Sequence, residues 1–169
     1  RKVDTSTGIT STIAGSPGLK GSADGTGADA RFKLPLGMTM IGGDLYVADA
    51  ENHTIRKVVP ATGAVTTVAG EPLASGHVDA AGSSARFREP GNLTTDGTDL
   101  YVSDTSNHTI RKIVLSSAAV TTPAGLADTS GTANGTGAEA RFYEPRGIAF
   151  DGTYLYVADA GNHAIRRIE

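Results

Sequence analysis

The chain is poor in several kinds of residue, and each shortage excludes a class of function. Its 169 residues include no cysteine, which excludes thiol nucleophiles, thiolate metal sites and disulfides. Its formal net charge of −3 lacks the basic excess that is typical of nucleic-acid-binding domains. No apolar run approaches the roughly 18 residues of a membrane-spanning helix, and no signal peptide is visible. We therefore expect neither a nucleic-acid partner nor a membrane partner.

What the chain does contain is abundant glycine, 22 residues, and one repeat that is written three times. The period is 55 residues, and no insertion or deletion breaks the register. Each copy has an Arg-Phe pair, a Leu-Tyr-Val-Ala/Ser-Asp segment and an Asn-His-Thr/Ala-Ile-Arg segment. A fixed period of this size indicates a repeat architecture. The Arg-Phe pairs begin at Arg31, Arg86 and Arg141.

Each repeat has four strand signals that are separated by turn residues. The first three are clearest in the third copy, at 147–150, 154–158 and 163–168, and the fourth lies at 64–69 in the first copy. The second strand is almost entirely apolar, as expected where both faces of a sheet are covered. The fourth strand carries Pro123 in one copy, which favours a sheet edge. Four short strands per repeat are typical of a propeller blade, and we predict an all-β propeller.

These residues resemble the NHL-repeat family, which is named for an Asn-His-Leu triplet. The match is Leu-Tyr-Val-Ala-Asp-x-x-Asn-His-x-Ile-Arg-Lys, in which Thr54, Thr109 and Ala164 take the place of the leucine. The segment 24–32 and the prolines at 35, 90 and 145 resemble bacterial members. The resemblance implies six-bladed rings. It also implies an extracellular, cell-surface or periplasmic location, because many bacterial members are exported.

The ends of the chain are offset from the repeat. Residue 1 is in register with residue 56, so residues 1–15 would supply only an outermost strand, at 8–14. Repeat 1 is then 16–70, repeat 2 is 71–125, and repeat 3, at 126–169, lacks its outermost strand. Three blades cannot close a ring, because rings hold roughly four to eight. We expect two copies to form a six-bladed C2 homodimer, in which each N-terminal strand completes the last blade of the other copy. Alternatively, the piece comes from a longer chain whose further blades are covalent.

Polar residues that recur in every copy are expected to serve the scaffold. The histidines would be spread around a ring and could not converge on one ion, so we expect no metal and no cofactor; a symmetric pair of His77 residues in a dimer is the alternative. The aspartates would accept turn N–H groups, the asparagines tolerate left-handed geometry, and the arginines would pair with Asp29, Asp79 or Glu139. These positions are Asp49, Asp104 and Asp159, Asn52, Asn107 and Asn162, His53, His108 and His163, and Arg31, Arg86 and Arg141.

Ligand contacts are expected where the copies differ, on the inner strand and just before it. These positions lie near the central channel or its mouth in a propeller. The polar candidates are Lys33, Arg88, Glu89, Asn92, Glu144 and Arg146. The alternative is that they are channel-lining residues in contact with water.

Three hypotheses about the function remain open at this point. The leading one is a non-catalytic binding or scaffold module that presents its loop faces to a protein or a glycan. The second is an enzyme that resembles the amidating lyases, with a metal at the channel mouth. The third is an excised or engineered fragment whose only activity is self-assembly.

Overall fold

The computed structural model describes all residues 1–169 and shows an all-β chain with six short 3-10 turns. The strands form four antiparallel sheets, which are one hairpin and three blade-like sheets. None of its helices is long and apolar enough to cross a membrane. The hairpin is β1 (Lys2–Val3) and β2 (Thr10–Ser11); the first blade is β3 (Gly25–Thr26), β4 (Pro35–Ile41), β5 (Asp44–Asp49), β6 (Thr54–Val59) and β7 (Ala64–Ala69). The second blade is β8 (Pro90–Thr95), β9 (Leu100–Asp104), β10 (Thr109–Val114) and β11 (Ala119–Ala124); the third is β12 (Pro145–Phe150), β13 (Leu155–Asp159) and β14 (Ala164–Ile168).

Each blade is a meander in which consecutive strands pair, except that β3 of the first blade pairs with β7. The second blade shows the pattern, with the order β11-β10-β9-β8, and β8 lies beside β4 and β12 of the neighbouring blades. The apolar second strand is central and buried, as its sequence predicts. Pro123 lies in the edge strand β11, beside an irregularity in its register with β10. The missing N–H of proline therefore disrupts no inner ladder.

A tight turn joins the second and third strands of every blade. A 3-10 turn such as Ala50–Asn52 is followed by His53, which adopts left-handed backbone with φ 59°. His108 and His163 do the same, at φ 60° and 55°. The sequence interpretation assigned left-handed geometry to the asparagines, and this is wrong: the asparagine lies inside the 3-10 turn, and its side chain is used elsewhere.

The two larger clusters of the core lie between blades, whereas a third and smaller one lies on the first blade alone. One cluster joins Tyr46 and Ile55 of the first blade to Phe87 and Leu100 of the second. A second cluster joins Ile110 of the second blade to residues of the third, namely Phe142, Ile148, Leu155 and Val157. Because a blade is flat and thin, it buries its two faces only by stacking against its neighbours.

Two segments differ from the sequence prediction. The N-terminal strand predicted at 8–14 contains only Thr10–Ser11, because its only partner in the chain is the short strand Lys2–Val3. The glycine-rich linker was expected to be a loop, but Gly25–Thr26 pairs with β7 as a fifth strand of the first blade. The linker therefore covers the edge of the blade.

Candidate ligand cleft on the inner strands

Each blade contains the same buried ionic network beside its 3-10 turn. In the second blade, the Asp104 carboxylate accepts hydrogen bonds from the backbone N–H of Arg88 at 2.8 Å and from Asn107 Nδ2 at 2.8 Å. Arg111 donates to the same carboxylate at 2.7 Å, and both charged side chains are fully buried. Further hydrogen bonds to a buried pair of this kind offset part of the cost of removing two charges from water.

The terminal guanidinium nitrogens of each arginine have further partners in their own blade, while Nε of Arg56 and of Arg111 is buried without a hydrogen-bond partner. Arg111 also donates to the carbonyl of Arg86 and to Asp79, and its guanidinium lies 4.9 Å from the centre of the Phe87 ring. The equivalent stacks are Arg56 on Phe32 at 5.1 Å and Arg166 on Phe142 at 5.2 Å. The Phe of each Arg-Phe pair is thus a platform for the arginine of the third strand.

Burial sets the electrostatics of this network. Desolvation raises the pKa of Asp104 to about 6, and the Arg111 guanidinium opposes that shift. Desolvation also raises the pKa of Asp49 in the first blade, where Asn52, the Lys33 backbone and Arg56 oppose it. Because these groups are enclosed and paired with one another, they are not available to a ligand.

The arginines of the Arg-Phe pairs have partners other than those expected. Arg86 donates to the carbonyls of Ser83 and Ala85 and pairs with Glu71. Arg31 and Arg141 likewise donate to carbonyls of the adjacent 3-10 turns, while Asp79 pairs with Arg111. The expected pairing with Asp29, Asp79 or Glu139 is therefore wrong, because the nearby carbonyl groups of the turn need donors first.

A cleft of 520 Å³ lies where the inner strands of the three blades meet. Four of the six sequence candidates line it: Glu89, Asn92, Glu144 and Arg146. The remaining lining residues are mostly small or polar and come from the inner strands and the 3-10 turns. They are Leu34, Leu36, Gly37, Ala50, Glu51, Gly91, Thr105, Ser106 and Gly147.

The two rim glutamates are held in an uncommon conformation. Glu89 and Glu144 have φ of 52° and 48°, in the left-handed region that non-glycine residues rarely adopt. The backbone N–H of each one donates at 3.2 Å to Nδ1 of a histidine in the preceding blade, His53 and His108 respectively. The Asn-His turns of the first two blades therefore each fix the rim of the next blade.

The polar groups of the cleft are already hydrogen-bonded to one another. Ser106 donates to Glu89 at 2.7 Å, and Arg146 donates to Glu144 at 3.2 Å while its side chain stays 64% exposed. Asn92 accepts the N–H of Leu93 through its own Oδ1. These bonds orient side chains that still face solvent.

The other two candidates lie outside the cleft. Lys33 forms an ion pair at 3.3 Å with Glu51, which does line the cleft. Arg88 instead pairs with Asp128 at 2.6 Å, in the linker that follows the second blade. Sequence divergence alone could not show whether these side chains face the cleft or the linker, because a side chain just before a strand can point to either side.

The sequence interpretation missed the contribution of the 3-10 turns. Glu51, Thr105 and Ser106 line the cleft because the turn after the second strand lies beside the inner strand. A signal was available, since the two positions before the repeated asparagine read Ala-Glu, Thr-Ser and Ala-Gly in the three copies. This divergence is as great as that on the inner strand.

The donor set does not fit the metal that a lyase-like site implies. No group of three or more His, Asp or Glu side chains is placed so that it could hold a metal ion. His77, the one histidine outside the repeat, lies at the outer edge, 3.0 Å from the Thr122 hydroxyl. The residues of this structure therefore do not provide the ligand set that such a metal would need.

Comparisons with known proteins agree with this geometry. Residues 32–58 match the model of the NHL repeat. NHL repeat-containing protein 2 of Gallus gallus is 32% identical over 154 residues, and that of Bos taurus is 42% identical over 99 residues. These matches cover 83% and 56% of this chain, but only 21% and 14% of the relatives.

Solved structures show the same architecture. An auxiliary nutrient binding protein from Bacteroides ovatus superposes with a TM-score of 0.73 at 25% identity, over 85% of this chain and 39% of that one. An auxiliary nutrient binding protein from Bacteroides thetaiotaomicron superposes with a TM-score of 0.67 at 29% identity, over 76% and 35%. Stacked, repeated blades of this kind define a β-propeller repeat protein. The chain carries the NHL repeat and resembles NHL repeat-containing proteins, and the predicted family resemblance and fold class are confirmed.

Proposed function

We propose that this chain is a non-catalytic NHL-repeat binding module that acts as half of a six-bladed ring. The observation that carries the proposal is the cleft. The side chains that line it differ between the three repeats, whereas the side chains of the scaffold that holds them are the same in each repeat. Its mixture of carboxylates, hydroxyls and one exposed guanidinium suits hydrogen bonding to a glycan or to a polar protein segment. Two structural neighbours are auxiliary nutrient binding proteins, which is in line with a binding role.

The two end faces of the arc support the dimer. Ile55 and Ile110 are fully buried under the following blade, but the equivalent Ile165 of the third blade is 73% exposed. At the other end, Met38 is 55% exposed, while the equivalent Leu93 is buried at 3%. Each end of the arc therefore exposes apolar positions whose equivalents inside the chain are covered by a neighbouring blade.

The hydrogen bond between a turn histidine and the rim of the following blade is also missing at the two ends of the chain. His53 and His108 each accept the N–H at the rim of the following blade, whereas His163 is followed by no blade in this chain. Leu34 has the same left-handed backbone as Glu89 and Glu144, at φ 56°, and is preceded by none. A second copy brings His163 beside Leu34, and two copies satisfy both ends.

The binding role is tested with a glycan array and a peptide array. We expect the wild-type protein to give hits that are lost, by at least about tenfold in affinity, in the double variant Glu89→Ala/Arg146→Ala. Arg88→Ala is the matched control, because it removes an arginine of the same region that points away from the cleft. Hits that survive the double variant but not the control would place binding elsewhere and contradict the proposal.

A further inference from the structure

The last blade has a vacant slot along its open edge. β14 pairs with β13 on one side and with nothing on the other. Beside it lies a groove of 460 Å³ lined by Asn134, Gly137, Phe142, Arg166 and Ile168, among others. In the first and second blades, the outermost strands fill this space and bury Val65 and Val120 at 2% exposure.

The N-terminal segment has the position of an outermost strand that lacks its blade. The N–H of Gly15 donates to the carbonyl of Gly27 at 2.9 Å. The equivalent bonds, from Gly70 and from Gly125 to the glycines of the next repeat, anchor β7 and β11 to the following blade, both at 3.1 Å. Ile13 and Ala14 pack on the exposed face of the first blade. The segment is thus fixed to blade one, where a preceding blade would place its last strand.

We propose that β2 of one copy enters the slot beside β14 of a second copy, with Ser11 opposite Arg167 and Thr10 opposite Ile168. This inference rests on the dimer proposed above and adds its contact surface and register. The register comes from the in-chain pairs, which are Lys57 with Thr66 and Val58 with Val65 in the first blade, and Lys112 with Thr121 and Ile113 with Val120 in the second.

A side-chain contact belongs to the same register. The hydroxyl of Thr67 donates to Asp24 at 3.0 Å, and that of Thr122 donates to Asp79 at 2.9 Å. The equivalent residues are Thr12 and Asn134, and Asn134 Oδ1 is an acceptor that already receives a bond from Arg166. In the assembled ring, Thr12 of one copy donates to Asn134 of the other.

The β1–β2 hairpin competes with this exchange. Lys2 pairs with Ser11 and Val3 with Thr10, in the register that Arg167 and Ile168 of a second copy would use. Arg1-Lys2-Val3-Asp4 repeats the pattern of Arg166-Arg167-Ile168-Glu169. Because a hairpin of this size is only marginally stable in water, β1 gives way to the longer strand of a partner.

Because the full chain contains no cysteine, pairs of introduced cysteines can test the proposed register. Chains carrying Ser11→Cys are mixed with chains carrying Arg167→Cys, oxidised and run on a non-reducing gel. Paired residues of antiparallel strands have Cα atoms about 4.5–5.5 Å apart, within the range of a disulfide. We expect a covalent dimer in the mixture and none from either chain alone. Replacing Ser11→Cys by Thr12→Cys should largely abolish it, because a shift of one residue turns the side chain to the other face.

The double variant Lys112→Cys/Thr121→Cys is the positive control, because it forms the equivalent bridge inside one chain. If this bridge forms and the mixture gives no covalent dimer, or if a single variant alone gives one, the strand exchange is overturned. The solution mass then separates the two proposals. A dimer without the bridge keeps the ring and rejects the exchange, whereas a monomer rejects both.

Discussion

At the scale of single residues, the same few side chains are used three times for one structural task. Each repeated aspartate is bound by an asparagine, an arginine and a backbone N–H, and each of these arginines stacks on a phenylalanine. The motif that identifies the family is therefore a buried ionic centre of the blade. Removing one partner leaves an uncompensated buried charge, which costs more than the pair contributes.

The substitution Arg111→Ala tests this role. It leaves the Asp104 carboxylate buried without its cation, and we expect the free energy of unfolding to fall by about 3–5 kcal/mol. Arg146→Ala is the control, since that side chain is 64% exposed, and it should stay within about 0.5 kcal/mol of wild type. Urea unfolding followed by circular dichroism measures both. Equal effects of the two substitutions would contradict the buried network.

His53 should make stability depend on pH. Burial lowers its pKa, and Nδ1 must be unprotonated to accept the N–H of Glu89. Between the lowered pKa and the unfolded value of about 6.5, the unfolded chain binds more protons, so that the contribution is present above about pH 6.5 and is lost as the pH falls through this window.

We expect His53→Asn to reduce the loss of unfolding free energy between about pH 7.5 and about pH 5.5. Asparagine suits the left-handed backbone at this position and does not titrate. His77, whose pKa burial also lowers, is present in both proteins, so the difference between their pH profiles isolates His53. Identical profiles would show that the turn histidine has no such role.

At the scale of elements, the close approach of the fourth strand to the turn needs a glycine. Gly70 has φ 90°, and a Cβ there would collide with the carbonyl oxygen of His53 and meet Thr54 Cα at 3.0 Å. Gly97 has nearly the same φ, 92°, and open space around it. These two positions separate backbone strain from steric conflict.

Gly70→Ala should therefore lower the melting temperature clearly more than Gly97→Ala. The second change carries only the left-handed penalty of about 1–2 kcal/mol, whereas the first adds a clash with backbone that cannot move cheaply. Differential scanning calorimetry of both variants gives the comparison. A Gly97 variant that is as unstable as the Gly70 variant would show that strain alone accounts for the loss.

The elements that the sequence predicts well are those with repeated local signals. The fourth strand lies at Ala64–Ala69, as its residues indicate, and the second strand is buried because its apolar run is covered on both faces. The strand at 8–14 is shorter than predicted because strand formation needs a neighbour, and only Lys2–Val3 is available in the chain. The pairing of Gly25 with Val65 depends on a long-range approach that composition does not encode.

The candidate site was predictable only in part. Divergence on the inner strand identifies Glu89, Asn92, Glu144 and Arg146, because the fold brings the inner strands together. It misplaces Arg88, whose direction is decided by Asp128 in a linker 40 residues further on. The buried partners of the repeated arginines were likewise hidden, since pairing across a blade is a property of packing.

At the scale of the whole molecule, the arc stacks its blades through faces that would complement each other at its two ends. Ile165 at one end and Met38 at the other remain exposed although their equivalents inside the chain are buried. Exposed apolar faces of this kind favour association. The proposed ring of two copies would cover both faces at once and leave neither for aggregation.

The central claim is the six-bladed dimer, and the solution mass tests it most directly. Light scattering on a sizing column should give twice the chain mass of 17.2 kDa, and Ile165→Glu should return the species to the mass of one chain without unfolding it, because this side chain is 73% exposed in the single chain. A wild-type protein that elutes as a stable single chain at micromolar concentration would contradict the account.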